Sequence, residues 1–227
     1  MSDLENQEKI KWYQSGKKQL ALLTLFFLCF FVGGVLFVWV SARFFDNYEE
    51  TYSQEYRITT YADPSIGPEN AKIQIFQFAD YGCPYCRDSV EALKILLAVY
   101  PEDVRWVYKD FPFTELHPDS LLAHQASQCA HEQDHFMEMH DLLYSQIENH
   151  SKDILIGYAR KIGLDEARFK DCLETRKYKN EVESDLREGI ALGVSATPTW
   201  FINGYKIEGV IPPEVFLEIV NMGLSLQ

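Results

Sequence analysis

Ile73-Gln74-Ile75-Phe76-Gln77-Phe78, then Cys83-Pro84-Tyr85-Cys86, then Asp88 to Tyr100 with Val90, Leu93, Leu96 and Leu97 at helical spacing: the fold turns on this stretch. The first run reads as a buried strand and the last as a helix with one apolar face. The cysteine pair therefore stands where a strand hands over to a helix N-terminus. Free N–H groups and the positive end of the helix dipole favour a thiolate there. A thiolate is the species that attacks disulfides. Two other chemistries share this spacing. Half of a zinc site would need a second such pair, and the chain has none. A structural disulfide that never turns over is the remaining alternative.

Working outward, strand 71–79 and helix 84–100 are followed by a strand at Val104-Arg105-Trp106-Val107-Tyr108-Lys109. Strand, helix, strand in this order predicts a right-handed βαβ unit around a parallel pair. From Asp119 to Leu192 the pattern is helical. Asp119 and Asp165 are candidate caps, a second helix follows Asp134, and Gly163 and Gly193 are stops. The chain then returns to strand. Thr199-Trp200-Phe201-Ile202, Asn203-Gly204, Tyr205-Lys206-Ile207 predicts a hairpin, because Asn-Gly supplies the two positive-φ positions of a type I′ turn. Pro213-Glu214 open a last helix to about Leu224. The predicted class is α/β: βαβ, a helical block over about 119–192, then ββα. The two halves make a mixed four-stranded sheet with helices on both faces, which is the thioredoxin layout with a helical insertion.

Ahead of this domain, Leu20 to Ala42 is almost wholly apolar and carries no charge. It exceeds the roughly 20 residues a helix needs to span a bilayer. Lys9, Lys11, Lys17 and Lys18 precede it and Arg43 follows, so the positive-inside bias predicts a cytoplasmic N-terminus and an exported remainder. A cleaved signal peptide is the rival, since Val40-Ser41-Ala42 fits a cleavage site. A signal core, however, runs only about 7–15 apolar residues. The expected organisation is a cytoplasmic tail (1–19), a single transmembrane anchor (20–42), a linker (43–62) with a possible strand at Tyr56 to Thr60, and the catalytic domain (63–227).

Net charge is −13, and beyond Arg43 sixteen Lys/Arg face thirty-one Asp/Glu. That excludes a nucleic-acid partner, since a phosphate backbone needs a basic face. Of five cysteines, Cys29 lies in the apolar segment. Cys83, Cys86, Cys129 and Cys172 lie in the exported part, where disulfides persist. Four cysteines allow two bridges of undetermined connectivity. His131-Glu132-Gln133-Asp134-His135 matches the zinc-peptidase pattern. That chemistry needs one continuous helix, and Asp134 reads as a helix cap inside the motif, so no catalytic metal is expected. All six histidines fall between 117 and 150, read as a polar helical face.

Asp63-Pro64-Ser65-Ile66-Gly67, Phe78-Ala79-Asp80-Tyr81-Gly82-Cys83-Pro84-Tyr85-Cys86, Lys109-Asp110-Phe111-Pro112 and Gly193-Val194-Ser195-Ala196-Thr197-Pro198-Thr199-Trp200-Phe201-Ile202-Asn203-Gly204 together resemble the DsbA-like thiol–disulfide oxidoreductases, over residues 63–227 in order. The resemblance implies Cys83 as nucleophile and Cys86 as resolving thiol, with Pro84 and Tyr85 modulating the pair. It implies that Pro198 is cis and lies against the pair, and that Thr197 backbone groups bind an extended substrate peptide. It further implies a structural disulfide between Cys129 and Cys172, as in a subset of the family. No cofactor beyond the redox-active disulfide is implied. The partners implied are exported proteins with free thiols and a membrane quinone-linked protein of the DsbB type that reoxidises the pair.

Two departures from the family pattern bear on the chemistry. DsbA has Cys-Pro-His-Cys, where Tyr85 stands here, and a tyrosine holds no positive charge beside the thiolate. An oxidant weaker than DsbA (about −120 mV) and nearer the glutaredoxins (about −200 to −230 mV) is expected. The family's carboxylate six residues before the first cysteine is replaced by Gln77, which takes no proton. Asp80 is nearer but falls on the other side of the strand's alternation, and Lys109 is a candidate for an electrostatic role. The function expected is a membrane-tethered dithiol oxidase acting in the periplasm. A reductase or isomerase, or a redox-inactive peptide-binding module, are the alternatives. Isomerases of the group usually dimerise through an added N-terminal domain, for which residues 44–62 are too short, which counts against that alternative; a monomer is expected.

Overall fold

The computed structural model describes residues 63–226 without interruption, together with Phe31, Gly33, Gly34, Trp39 and Ile58. The cytoplasmic tail, the anchor and the strand expected at 56–60 otherwise fall outside the described residues. Phe31, Gly33, Gly34 and Trp39 are helical. Among the described residues no helix is long and apolar enough to cross a membrane. The chain divides into two compact units, Met1–Gln54 and Glu55–Gln227.

The second unit has a thioredoxin-like βαβ core with an inserted helical bundle. In chain order it runs β1 (Ser65–Ile66), β2 (Ile73–Ala79), α1 (Pro84–Val99), β3 (Val104–Asp110), α2 (Ser120–His131), α3 (Phe136–Ser145), α4 (Lys152–Lys161), α5 (Glu166–Glu174), α6 (Lys179–Ala191), β4 (Thr199–Ile202), β5 (Tyr205–Glu208) and α7 (Pro213–Ser225). The sheet order is β1-β3-β2-β4-β5. β2 and β3 run parallel from Ile73↔Val104 to Ala79↔Asp110. β4 pairs antiparallel with β2, Ile75 opposite Ile202 and Phe78 opposite Thr199.

The sheet has five strands where four were expected. The additional one is a two-residue edge strand, Ser65 opposite Val107 and Ile66 opposite Trp106. Gly67 lets the chain pass beside β3. Its φ is +99°, and a Cβ there would lie 2.1 Å from the Val104 carbonyl oxygen, so only glycine fits. At the far side Asn203 and Gly204 take φ +46° and +86°, the two positive values the β4–β5 turn requires.

Alternation along the strands sorts the core into two faces. Ile73, Ile75 and Ala79 join Trp106, Tyr108 and Trp200 in the larger cluster, which the helices of the insertion complete with Ala126, Met139, Leu155 and Phe169. Phe78 and Phe201 face the other way, with Phe111 and Val194. α6 closes that side at a glycine: a Cβ on Gly189 would lie 2.5 Å from the Phe111 ring and 2.9 Å from Phe78. Asp165 caps α5 by accepting from the Arg168 N–H at 3.0 Å. Asp119 stands at the N-cap of α2 but makes no capping bond.

Candidate active site

β2 ends at Ala79 and α1 begins at Pro84, so the intervening loop delivers Cys83 to the N-cap position, φ −85° and ψ 122°. Pro84 occupies a first-turn site that needs no N–H. Asp80 holds the loop by its main chain. Its carbonyl accepts from the Cys83 N–H at 3.0 Å, and its N–H donates to the Cys86 sulfur at 3.5 Å. Cys83 is only 6% exposed and Cys86 is fully buried, both as free thiols, whereas Tyr85 is 63% exposed beside them.

The two thiols have opposite acidities. A hydrogen bond from Cys86 outweighs desolvation at Cys83. With the Thr197 side chain and the first backbone N–H groups of α1, it brings the Cys83 thiol down to about 6. Burial first, then the neighbouring Cys83, pushes the Cys86 thiol well above its ordinary value. One sulfur is thus a thiolate at neutral pH and the other a thiol.

The Thr197-Pro198 peptide bond is cis, and both residues are buried. The Thr197 carbonyl oxygen accepts from the Cys83 sulfur at 3.3 Å. Thr199 Oγ1 donates to the Ala196 carbonyl at 2.7 Å and the Gly209 N–H to the Pro198 carbonyl at 2.8 Å, which fixes this loop against the hairpin.

Beneath the pair lies a buried polar network. The Asp80 carboxylate accepts from the Gly82 N–H at 3.0 Å, the Phe113 N–H at 3.1 Å and the Ser120 hydroxyl, and it pairs with His117 Nδ1 at 2.6 Å. His124, fully buried, lies between Asp80 (3.8 Å) and Asp110, to whose carboxylate its Nδ1 is hydrogen-bonded. Burial favours the protonated Asp80, yet the neighbouring His124 and its charge, with the hydrogen bonds from Ser120 and Gly82, hold the carboxyl well below the usual range. Burial likewise opposes charge on His124, but Asp110 and Asp80 raise its pKa to about 9. Tyr81 covers His124 with ring centroids 4.7 Å apart and stacks on Tyr108 at 5.3 Å.

Gln77 takes no part in this network; its Oε1 accepts from the Trp106 indole at 3.0 Å. Lys109 lies opposite Phe78 in the sheet, with its ammonium among Asp185 (2.6 Å), Asp63 (2.8 Å) and Glu188 (3.0 Å). Away from the pair, Cys129 on α2 and Cys172 on α5 are joined by a disulfide.

The H-E-x-x-H stretch is broken as its sequence suggests, though by a different residue geometry. α2 ends at His131, Asp134 adopts φ +63°, and His135 rather than Asp134 is the N-cap of α3. Glu132 accepts instead from Lys177, Tyr178 and Arg168. Among the described residues no group of three or more His, Cys, Asp or Glu side chains is placed to hold a metal ion.

The reading of the histidines as a polar helical face is corrected. His124, His140 and His150 are buried, and His117 borders a cavity of about 270 Å³ beside Gly82. Strand alternation set Asp80 aside, and the polar-face reading passed over His117 and His124. Asp80 lies one residue past the end of β2, where the chain has left the pleat. The available signal was the density of histidines after Phe113 together with an aspartate at the head of the Cys loop.

A family model described as Thioredoxin matches residues 59–222. Among solved structures, the fold is similar to a thioredoxin-like oxidoreductase from Silicibacter pomeroyi (22% identity, TM-score 0.65, covering 73% of this chain and 94% of that one). It is similar to oxidised BdbD from Bacillus subtilis (20%, 0.65, 74% and 95%). The catalytic domain of Proteus mirabilis ScsC is a third (25%, 0.60, 73% and 93%). Among curated proteins, the chain is 36% identical over 143 residues to Na(+)/H(+) antiporter NhaA 3 of Salinispora tropica and 33% identical over 151 residues to the NhaA antiporter of Herminiimonas arsenicoxydans. The matches take in 63% and 65% of this chain but only 22% and 24% of those proteins.

Proposed function

We propose, from the premise that this chain belongs to the thioredoxin family, that it is a thiol–disulfide oxidoreductase working as a dithiol oxidase of exported proteins. The domain is of the DsbA, BdbD and ScsC kind, and its redox group is the Cys83–Cys86 pair. The observation that carries the reading is the placement of that pair: Cys83 at the N-cap of α1 against the Thr197 carbonyl of the cis-proline loop, with Cys86 fully buried behind it, an arrangement that lowers the Cys83 thiol to about 6 and raises that of Cys86. A substrate thiolate attacks Cys83 of the oxidised pair and Cys86 leaves. A second substrate thiol then resolves the mixed disulfide, and the pair ends reduced. Stabilising the Cys83 thiolate stabilises the reduced protein, which makes the disulfide the stronger oxidant.

Thr197 and cis-Pro198, against the Cys83 sulfur, support a role in seating an extended peptide there. The apolar run from Leu20 to Ala42, with lysines before it, supports a single anchor with the domain outside the cytoplasm. The resemblance supports a quinone-linked membrane partner of the DsbB type as the reoxidant. Sodium–proton antiport forms no part of the proposal, because the match takes in less than a quarter of those transporters.

The deciding measurement is the reduction potential against a glutathione buffer. The Cys83 acidity lies between those of thioredoxin (about 7) and DsbA (about 3.5). A potential between about −270 and −120 mV, near −200 mV, is therefore expected. A value at or below about −270 mV would make the protein a reductase instead.

A further inference from the structure

We infer that His117, oriented by Asp80 at the wall of the cavity that Gly82 lines, one residue before Cys83, accepts the proton of the incoming substrate thiol. The inference deepens the dithiol-oxidase reading and rests on it.

Three observations converge on His117. Its ring lies directly on Gly82, the residue before the nucleophile: a Cβ on Gly82 would come within 2.4 Å of His117 Cγ. It borders the cavity of about 270 Å³ that Gly82 also lines, and its side chain is 27% exposed. Its Nδ1 is 2.6 Å from Asp80 Oδ2. An ionised carboxylate only accepts, so Nδ1 carries the proton and donates it to Asp80. That leaves the lone pair on Nε2, which has no hydrogen-bond partner among the described residues. An imidazole that borders a cavity, with one nitrogen fixed by a buried aspartate and the other without a protein partner among the described residues, has the arrangement of a general base.

The alternatives around the pair are buried or already hydrogen-bonded. Gln77 is engaged by Trp106. His150, also on the cavity, is buried and its Nε2 bonds the Leu143 carbonyl at 3.0 Å. His124 is fully buried between two aspartates.

The step balances as follows. A substrate S–H gives its proton to His117 Nε2. The thiolate attacks Cys83 Sγ, the Cys83–substrate S–S bond forms, and the Cys83–Cys86 bond breaks with its electron pair leaving on Cys86. The proton gained by His117 matches the one the Cys86 sulfur requires to end as a thiol. A second substrate thiol, losing its proton to solvent, forms the substrate disulfide and releases Cys83 as thiolate. The substrate is oxidised by two electrons and the pair reduced by two.

The magnitude is bounded. A cysteine thiol of pKa about 8.5 is roughly 3% ionised at pH 7, so a base gains at most about thirtyfold there. The test follows oxidation of a synthetic peptide with two cysteines by the oxidised full chain, from pH 5.5 to 9, in wild type, His117→Gln and Asp80→Asn. Both variants should be slower at pH 7 by about tenfold or more, with the gap closing toward pH 9, where the peptide thiols ionise unaided. Asp80, Asp119, Glu148 and His150 also face His117. The profile is therefore read as the difference between wild type and His117→Gln, which share them all. In His117→Gln the reduction potential and the Cys83 alkylation rate should not move. A wild-type rate in His117→Gln, or a loss equal at every pH, overturns the inference while leaving the oxidase reading intact. A wild type that oxidises no peptide sinks both.

Discussion

The Cys83 sulfur meets the Thr197 carbonyl oxygen at 3.3 Å, across 114 residues of sequence. This contact brings the β2–α1 loop and the loop before β4 to one point, so the reactive sulfur lies at the seam between the two halves of the fold. The Thr197 side chain and the Cys86 thiol bond the same sulfur and favour its ionised form.

A lowered Cys83 acidity is directly measurable. In the reduced protein, iodoacetamide should modify Cys83 with a pH midpoint of about 6, leaving Cys86 unreacted until the protein unfolds. Cys86→Ala removes the largest cause of the shift and should move the midpoint up by at least one unit. Because the folded value lies below the ordinary one, the stability this thiolate confers is present above about pH 9 and lost as pH falls through about 6. A midpoint near 8.5 in the wild type would refute the split acidity of the pair.

The disulfide between Cys129 and Cys172 closes a separation of 43 residues. Loop-closure entropy assigns such a crosslink about 4 kcal/mol. The Cys129→Ala, Cys172→Ala double variant should therefore unfold in urea with about 2–4 kcal/mol less stability. Its Cys83 alkylation midpoint should be unchanged. A shift in that midpoint would mean that α2 and α5 transmit strain to the site.

Three carboxylates enclose one ammonium at Lys109, so the fully ionised cluster is doubly negative and each carboxyl that keeps its proton removes one excess charge. Burial raises Asp63, and burial with the charge of Asp110 raises Asp185 to about 8. Carboxyls raised by folding confer stability that is complete below their unfolded values, near pH 4, and lost as pH rises through about 8. Thermal unfolding of Asp185→Asn should lose much of that decline between pH 5 and 8. Lys109→Met, which strands the carboxylates, should cost about 3–5 kcal/mol at pH 7. Equal pH slopes in wild type and Asp185→Asn would show that the carboxyl group at 185 is not the one that keeps the proton.

Gly189 is the point where α6 meets the sheet. Gly189→Ala places a methyl 2.5 Å from Phe111, with Phe78 at 2.9 Å behind it. Overpacking of this kind costs about 1–3 kcal/mol, outweighing the helix propensity gained from alanine, about 1 kcal/mol. Chemical denaturation should show a net loss. A gain would mean that the two rings shift freely, contrary to their edge-to-face packing at 6.1 Å.

Elements with strong local causes were legible. β2 follows from its β-branched and aromatic residues and α1 from helical spacing, the Asn203-Gly204 turn from residues tolerant of positive φ, and α5 from the Asp165 cap. β1 was not legible, because nothing in Ser65-Ile66 is strand-like apart from the β3 backbone it pairs with. The role of Asp80 was hidden for a related reason. Alternation applies inside a strand, and one residue beyond its end the direction of a side chain is set by its partners.

What the sequence determined by itself is the order of elements apart from β1, the placement of Cys83 and Cys86 at a helix start, and the thioredoxin layout. Each rests on periodicity, spacing or turn chemistry within a few residues. What only the tertiary structure decided is the environment of that pair. It placed Thr197 on the Cys83 sulfur, closed Cys129 onto Cys172, ringed Lys109 with acids, and brought His117 and His124 to Asp80 and Asp110. Acidity and proton traffic depend on burial and on charges within a few ångströms, and those neighbours are distant in sequence.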